Sequence, residues 1–436
     1  MLQTLRNAWK IDEIRKKLLF MAFIVLIYRL GNAVTVPYVD TAALQVHFQA
    51  LSGTVLGFLN TMSGSALERA SIFALSIQPY INASIIMQLL TIAIPALERM
   101  RKEGGEEGKK KIEKITRYGT VGIAAIQGFA YYTLIRTGDP TIGGSMLLPG
   151  AEAMWWTPVV IIATFMAGSA LLMWMGEQIT EFGIGNGISV ILFVSIVARF
   201  PIELWQMVNG VIAVPSNWWI YALMLLGALA IIVLIVVIQN SERRIPVQYS
   251  KRVVGRKMYG GQSTHLPMKV NMSGVLPVIF AQSIASIPAT IAIFVPRWRD
   301  GWLMENAFEM TTVPYMVLYF FLIVFFSYFY STVQFNPVEI ANNLKKNGGF
   351  IPGFRAGKPT SDFIQKVLTK ITLFGALYLA IVAITPMIVA AVSETARNTG
   401  IAMGGTSIII VISVALETIK QLESQMLMRH YKGFLE

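Results

Sequence analysis

The stretch LSIQPYINASIIMQLL, Leu75 to Leu90, decides how the chain is read. With its neighbours it extends an apolar segment over residues 70 to 94, enough to cross a bilayer, for which about 20 residues suffice. Yet Gln78, Pro79, Asn82 and Gln88 interrupt it. In hydrocarbon an unpaired polar group is costly and proline removes a backbone donor, so a helix that serves only as an anchor gains nothing from these residues. The segment predicts a spanning helix that faces something other than lipid. Ile77 and Ile81 stand four apart and share one face, and Pro79 between them is expected to bend the helix there.

The rest of the chain agrees with a membrane setting. Of 436 residues 55% are hydrophobic and 14% charged, against roughly 25% charged in soluble proteins. The net charge of +12 must then be judged by where it sits relative to the spans. Cysteine is absent, which excludes a disulfide framework, a thiolate nucleophile and a cysteine metal site. His47, His265 and His430 are scattered and expected at the surface, so no metal centre is expected. The first apolar run, FMAFIVLIYRLGNAVTVP, lacks a small-residue cleavage pattern and reads as a retained anchor, with Arg29 snorkelling or paired within the bundle.

Ten spans are expected, near 18–37, 70–94, 118–136, 156–176, 187–204, 216–239, 272–295, 313–334, 368–391 and 401–420. Lysine and arginine concentrate in the N-terminal arm and in the second, sixth and eighth connections, which places these regions and both termini on the cytoplasmic side. The chain reads as an all-α polytopic membrane protein in two five-helix halves, 1–204 and 205–436. Five being odd, such halves have inverted topology. The apolar piece from Leu51 to Leu59 is too short to span and is broken by glycines. It is either a re-entrant helix or an amphipathic one lying on the outer surface.

Catalytic chemistry is missing. The chain has no phosphate-binding loop, no catalytic constellation, no expected cofactor and no evident charged cluster at mid-membrane. FGIGNGIS, 182–189, reads as a tight entry into the fifth span and not as a dinucleotide fingerprint. Asn82 and Gln88 are placed to pair with Asn271 or Gln282 across helices, a contact worth about 0.6 to 2 kcal/mol that can open or can serve as static glue. The glycine-punctuated basic tips RVVGRKMYGG and NGGFIPGFRAG suit docking to phosphates or carboxylates, while topology alone would explain their charge. A passage for another molecule, a secondary transporter and an assembly scaffold all fit these features.

Five blocks in order resemble the SecY family, whose eukaryotic relative is the translocon alpha subunit. They are ALERASIFALSIQPYINASIIMQLL at 66–90, GEQITEFGIGNGISVILF at 176–193, HLPMKVNMSGVLPVIFA at 265–281, QFNPVEIANNLKKNGGFIPGFRAGKPT at 334–360 and GGTSIIIVISVALET at 404–418. The resemblance implies a channel in the bacterial plasma membrane that translocates unfolded secretory polypeptides and releases apolar segments sideways into lipid. It implies a pore ring of Ile77, Ile81, Ile188, Leu192, Ile279 and Ile410, although each taken singly also fits ordinary packing. A plug is implied over residues 55–67, with Val55, Leu56, Leu59, Met62 and Leu67, and a lateral gate near Asn82, Gln88 and Asn271. Arg243, Arg244, Lys251, Arg256 and Arg355, in the loops 240–270 and 335–366, are implied to dock the ribosome, through its RNA phosphates, and the SecA motor. SecE and SecG are the implied small partners. At 63–65 Ser-Gly-Ser stands where many members have Ser-Gly-Gly, a change expected to stiffen the plug.

Overall fold

The computed structural model describes residues 2–50, 55–138, 144–249, 252–254, 257–259, 263–272, 274–288, 291, 307–393 and 404–432. Each of the ten expected spans contains a helix. Among the described residues six helices are long and apolar enough to cross a membrane, and a seventh arises if one bent pair is a single span.

The chain forms two compact units. The first comprises Met1–Ala222, Ser286–Tyr315 and Pro386–Glu436. It opens with α1 (Leu2–Lys10), whose Ala8 joins Ile14, Ile184 and Leu422 in an apolar cluster. After α2 (Asp12–Gly31) the chain passes through turns and makes isolated extended pairings. Val36 N–H donates to the Ala70 carbonyl at 2.8 Å and Ile72 N–H to the Val34 carbonyl at 3.0 Å. Two short helices follow, α3 (Thr41–Ala50) and α4 (Val55–Met62). His47 on α3 is buried, contrary to its expected surface place, because α3 packs Leu44 and Phe48 into the core of this unit with Tyr131, Ile161 and Phe165.

The second span departs from expectation at its start and in where it bends. Residues 63–77 form a chain of turns, and α5 (Gln78–Ala93) starts eight residues later than residue 70. Pro79 lies in the first helical turn, where the missing N–H has no intrahelical acceptor to lose, so it starts the helix and does not bend it. The bend, of 104°, comes between α5 and α6 (Pro95–Glu103). Ile94 is extended at φ −107° and ψ 111°, the conformation that a following proline favours. Gly168 lets the irregular stretch lie close: a Cβ there would stand 1.9 Å from the Ile72 carbonyl oxygen.

The first unit continues through α7 (Gly105–Thr137), α8 (Thr157–Phe182), α9 (Gly187–Val197) and α10 (Phe200–Ala213). Asn186 caps α9 by accepting from Ile188 N–H at 3.0 Å and Ser189 N–H at 3.3 Å, so FGIGNGIS is the tight helix entry that was expected. The helix α11 (Trp218–Asn240) buries only Tyr221 and Ile235, as suits a helix that faces lipid.

The second unit, Leu223–Ala285 and Met316–Thr385, contains strands that helix counting missed. β1 (Glu242–Tyr249) and β4 (Ser263–Lys269) pair antiparallel, with the short β2 (Arg252–Val254) and β3 (Lys257–Tyr259) between them in sequence. Helices α12 (Leu276–Ala285), α13 (Val313–Gln334) and α14 (Pro337–Lys346) lead to β5 (Gly349–Phe350), which adds to β1. Ile245 and Val247 alternate inward and bury with Met268, Leu344, Ile351, Ile364 and Leu368. The long α15 (Lys358–Val392) and α16 (Gly404–Lys432) complete the chain.

Candidate functional site

Five of the six proposed ring residues belong to the first unit. Ile77, Ile81, Leu192 and Ile410 are buried and Ile188 is half-buried. Ile77 is the cap residue of α5, yet Ile81 N–H donates to its carbonyl at 3.1 Å, so the two lie on one turn. Ile188 and Leu192 occupy successive turns of α9, and the Ile188 side chain lies against Gly176 of α8. Ile279 is buried on α12 in the second unit.

The proposed plug is α4 and the turn after it. At eight residues it is too short to span. It packs on α9, and Leu56, Leu59 and Leu67 lie in or against the apolar core of the first unit. Met62 is buried, and Val55 opens the helix. Its polar groups are paired. Asn60 Nδ2 donates to Glu68 Oε2 at 2.6 Å, while its Oδ1 accepts from Glu68 N–H at 3.0 Å. The Tyr131 hydroxyl donates to the Leu67 carbonyl. The Tyr28 hydroxyl lies 2.6 Å from Ser195 Oγ and 3.4 Å from the Ser63 carbonyl. Ser65 takes the left-handed conformation, φ 66°.

These pairings answer the question raised by the polar residues of α5. Gln78 Nε2 reaches Met62 Sδ of the plug at 3.4 Å. Gln88 donates to Ser84 Oγ at 3.3 Å and lines a cavity of about 190 Å³ with Tyr80, Arg101, Lys109, Glu113 and Glu177. Asn82 is half-buried. In the second unit Asn271 is buried and donates to the Gly274 carbonyl at 3.0 Å, closing the turn that leads into α12.

The basic loops come together as a sheet. β5 pairs Gly349 with Tyr249 and Phe350 with Gln248, so the two large connections form one body in the second unit. Arg243 and Arg244 are exposed on β1, and Arg244 Nε meets Glu242 Oε1 at 2.7 Å. Arg355 is exposed in a turn held by the Thr360 hydroxyl, which donates to the Arg355 carbonyl at 2.8 Å. Lys251 and Arg256 lie outside the described residues. In the N-terminal arm the exposed Asp12 carboxyl is held below its usual range by the hydrogen bond and charge of Lys16, then by the charge of Arg15.

Sequence reasoning missed Tyr28 and Ser195. Their signal was faint: a serine hydroxyl in an apolar span ordinarily back-bonds to its own helix, as Ser195 also does here, and a lone tyrosine among apolar residues reads as ordinary packing.

The SecY family model matches residues 71–419. Over its whole length the chain is 44% identical to the protein translocase subunit SecY of Streptomyces coelicolor, itself covered in full. It is 40% identical to that of Corynebacterium glutamicum, with 99% of each chain covered. Its fold is similar to a structure titled "The structure of a protein conducting channel", at a TM-score of 0.65 and 17% identity, covering 94% of this chain and 92% of that one. It is also similar to Sec61 in a canine ribosome-channel complex from the endoplasmic reticulum, at a TM-score of 0.60 and 16% identity over the same shares.

Proposed function

We propose, since this chain belongs to the SecY family of protein translocase subunits, that its passage conducts unfolded secretory polypeptides and releases apolar segments sideways into lipid. It is a channel subunit and not an enzyme. The observation that best supports the mechanism is α4, a helix too short to span, buried against the α9 that carries two proposed ring residues. A ring of Ile77, Ile81, Ile188, Leu192, Ile279 and Ile410 would bar ions by dewetting and yield to a passing chain. The α4 plug adds a second seal at rest.

The two inverted halves, 1–204 and 205–436, would part at a gate near Asn82, Gln88 and Asn271. There a substrate segment partitions by its apolar area, at about 25 cal/mol per Å² removed from water. The chain is multi-pass. Its basic connections support a reading with both termini in the cytoplasm of a bacterium and the channel in the plasma membrane. Driving force comes from the ribosome or the SecA motor docked on the sheet and turn that present Arg243, Arg244 and Arg355, with Lys251 and Arg256 in the same loops. SecE and SecG complete the channel. Reconstitution of the chain with these small subunits, followed by transport of a signal-bearing polypeptide, tests the reading. Transport that requires the motor and ATP is expected; motor binding and hydrolysis without transport would overturn it.

A further inference from the structure

We propose that Tyr28 and Ser195 form a latch that couples α9 to the plug, so that outward movement of the Leu192 turn and release of the plug are one event. The inference rests on the channel reading above. Three segments meet at this point. Tyr28 of α2 is 1% exposed, its ring stacked on Phe73 with centroids 5.8 Å apart. Ser195 is fully buried on α9, one turn beyond Leu192. The plug turn lies against both: the Ser63 carbonyl is 3.4 Å from the Tyr28 hydroxyl, and a Cβ on Gly64 would lie 2.8 Å from the Ser195 carbonyl oxygen.

The donors decide how the contact works. The Ser195 hydroxyl donates to the Ile191 carbonyl at 2.8 Å, which leaves its oxygen to accept at 2.6 Å from the single proton of Tyr28. That bond pins α9 to α2 with the Gly64 backbone seated against it. Displacing α9 breaks the bond and withdraws the Ser195 backbone on which Gly64 rests. The released segment is already strained. Ser65 holds φ of 66°, a region that L side chains occupy at a cost, so the seated turn departs readily once the latch opens.

The test uses the complete channel with its small subunits in planar bilayers, reading the resting ion leak, beside transport of a signal-bearing polypeptide. Tyr28→Phe and Ser195→Ala should each raise the leak about tenfold, the effect of losing one buried hydrogen bond. The double variant should leak no more than either single one, since both remove the same bond. Assembly with the small subunits and signal-dependent transport, retained in each variant, guard against a mere folding defect. Unchanged leak in either single variant, or additive effects in the double, would overturn the latch. Failure of the unaltered channel to transport would instead overturn the channel reading.

Discussion

Replacing Ser65 by glycine should seat the plug more firmly. Ser65 is buried at φ 66°, and its N–H donates to the Asn60 carbonyl at 2.9 Å, so the left-handed turn is part of the plug's own hydrogen-bonding. An L side chain in that region costs about 1–2 kcal/mol, which glycine does not pay. Glycine gives back about 0.4–1 kcal/mol through the greater freedom of the unseated chain. The net gain is about 0.5–1 kcal/mol, or roughly two- to fivefold in the ratio of seated to unseated plug. Resting leak in bilayers should fall by that factor, and amide exchange at residues 63–67 should slow equally. Ser65→Ala is the control: it removes the hydroxyl but keeps the Cβ, so it should give no gain. If alanine tightens the seal as much as glycine, or glycine loosens it, backbone strain is not what Ser65 contributes.

Ile81→Asn and Ile279→Asn each place an amide at a buried position, at about 1–3 kcal/mol; each should raise resting conductance, and an unchanged leak would remove that residue from the ring. Arg355→Glu reverses a charge on an exposed turn, so stability should stay within about 0.5 kcal/mol while affinity for ribosomes and the motor falls. Titrations at fixed salt read the loss, which should shrink as ionic strength rises. Gly168→Ala should destabilise by about 1–3 kcal/mol or more, because its methyl meets the Ile72 carbonyl oxygen at 1.9 Å and backbone must move. A melting temperature in detergent equal to that of the parent would refute the close approach.

Within α5 the limits of sequence reading are plain. That Gln78 and Gln88 do not face lipid followed from the cost of unpaired amides, but nothing local said that one meets Met62 of the plug and the other a polar cavity. Pro79 was legible as an interruption and misread as a bend. A proline in the first turn and one inside a helix look alike until the start of the helix is known, and here the turns of residues 63–77 set that start. The two large cytoplasmic-type connections were legible as basic and turn-rich. The sheet was not, because β5 has only two residues and β1 offers just two inward apolar positions, Ile245 and Val247, too few to establish a strand period.

The sequence by itself determined the number and order of the spans, the short non-spanning helix before the second, and the family. Span length and apolar content are sums over a local window, and a bilayer of fixed thickness converts those sums directly into helices. Only the tertiary structure decided which polar groups are satisfied and by whom: Tyr28 with Ser195, Tyr131 with the Leu67 carbonyl, and Tyr249 beside Gly349 a hundred residues along the chain. It also buried His47, which composition had placed outside. Each of these depends on which distant backbones approach closely enough to share a hydrogen bond or exclude solvent, and no window of sequence contains both partners.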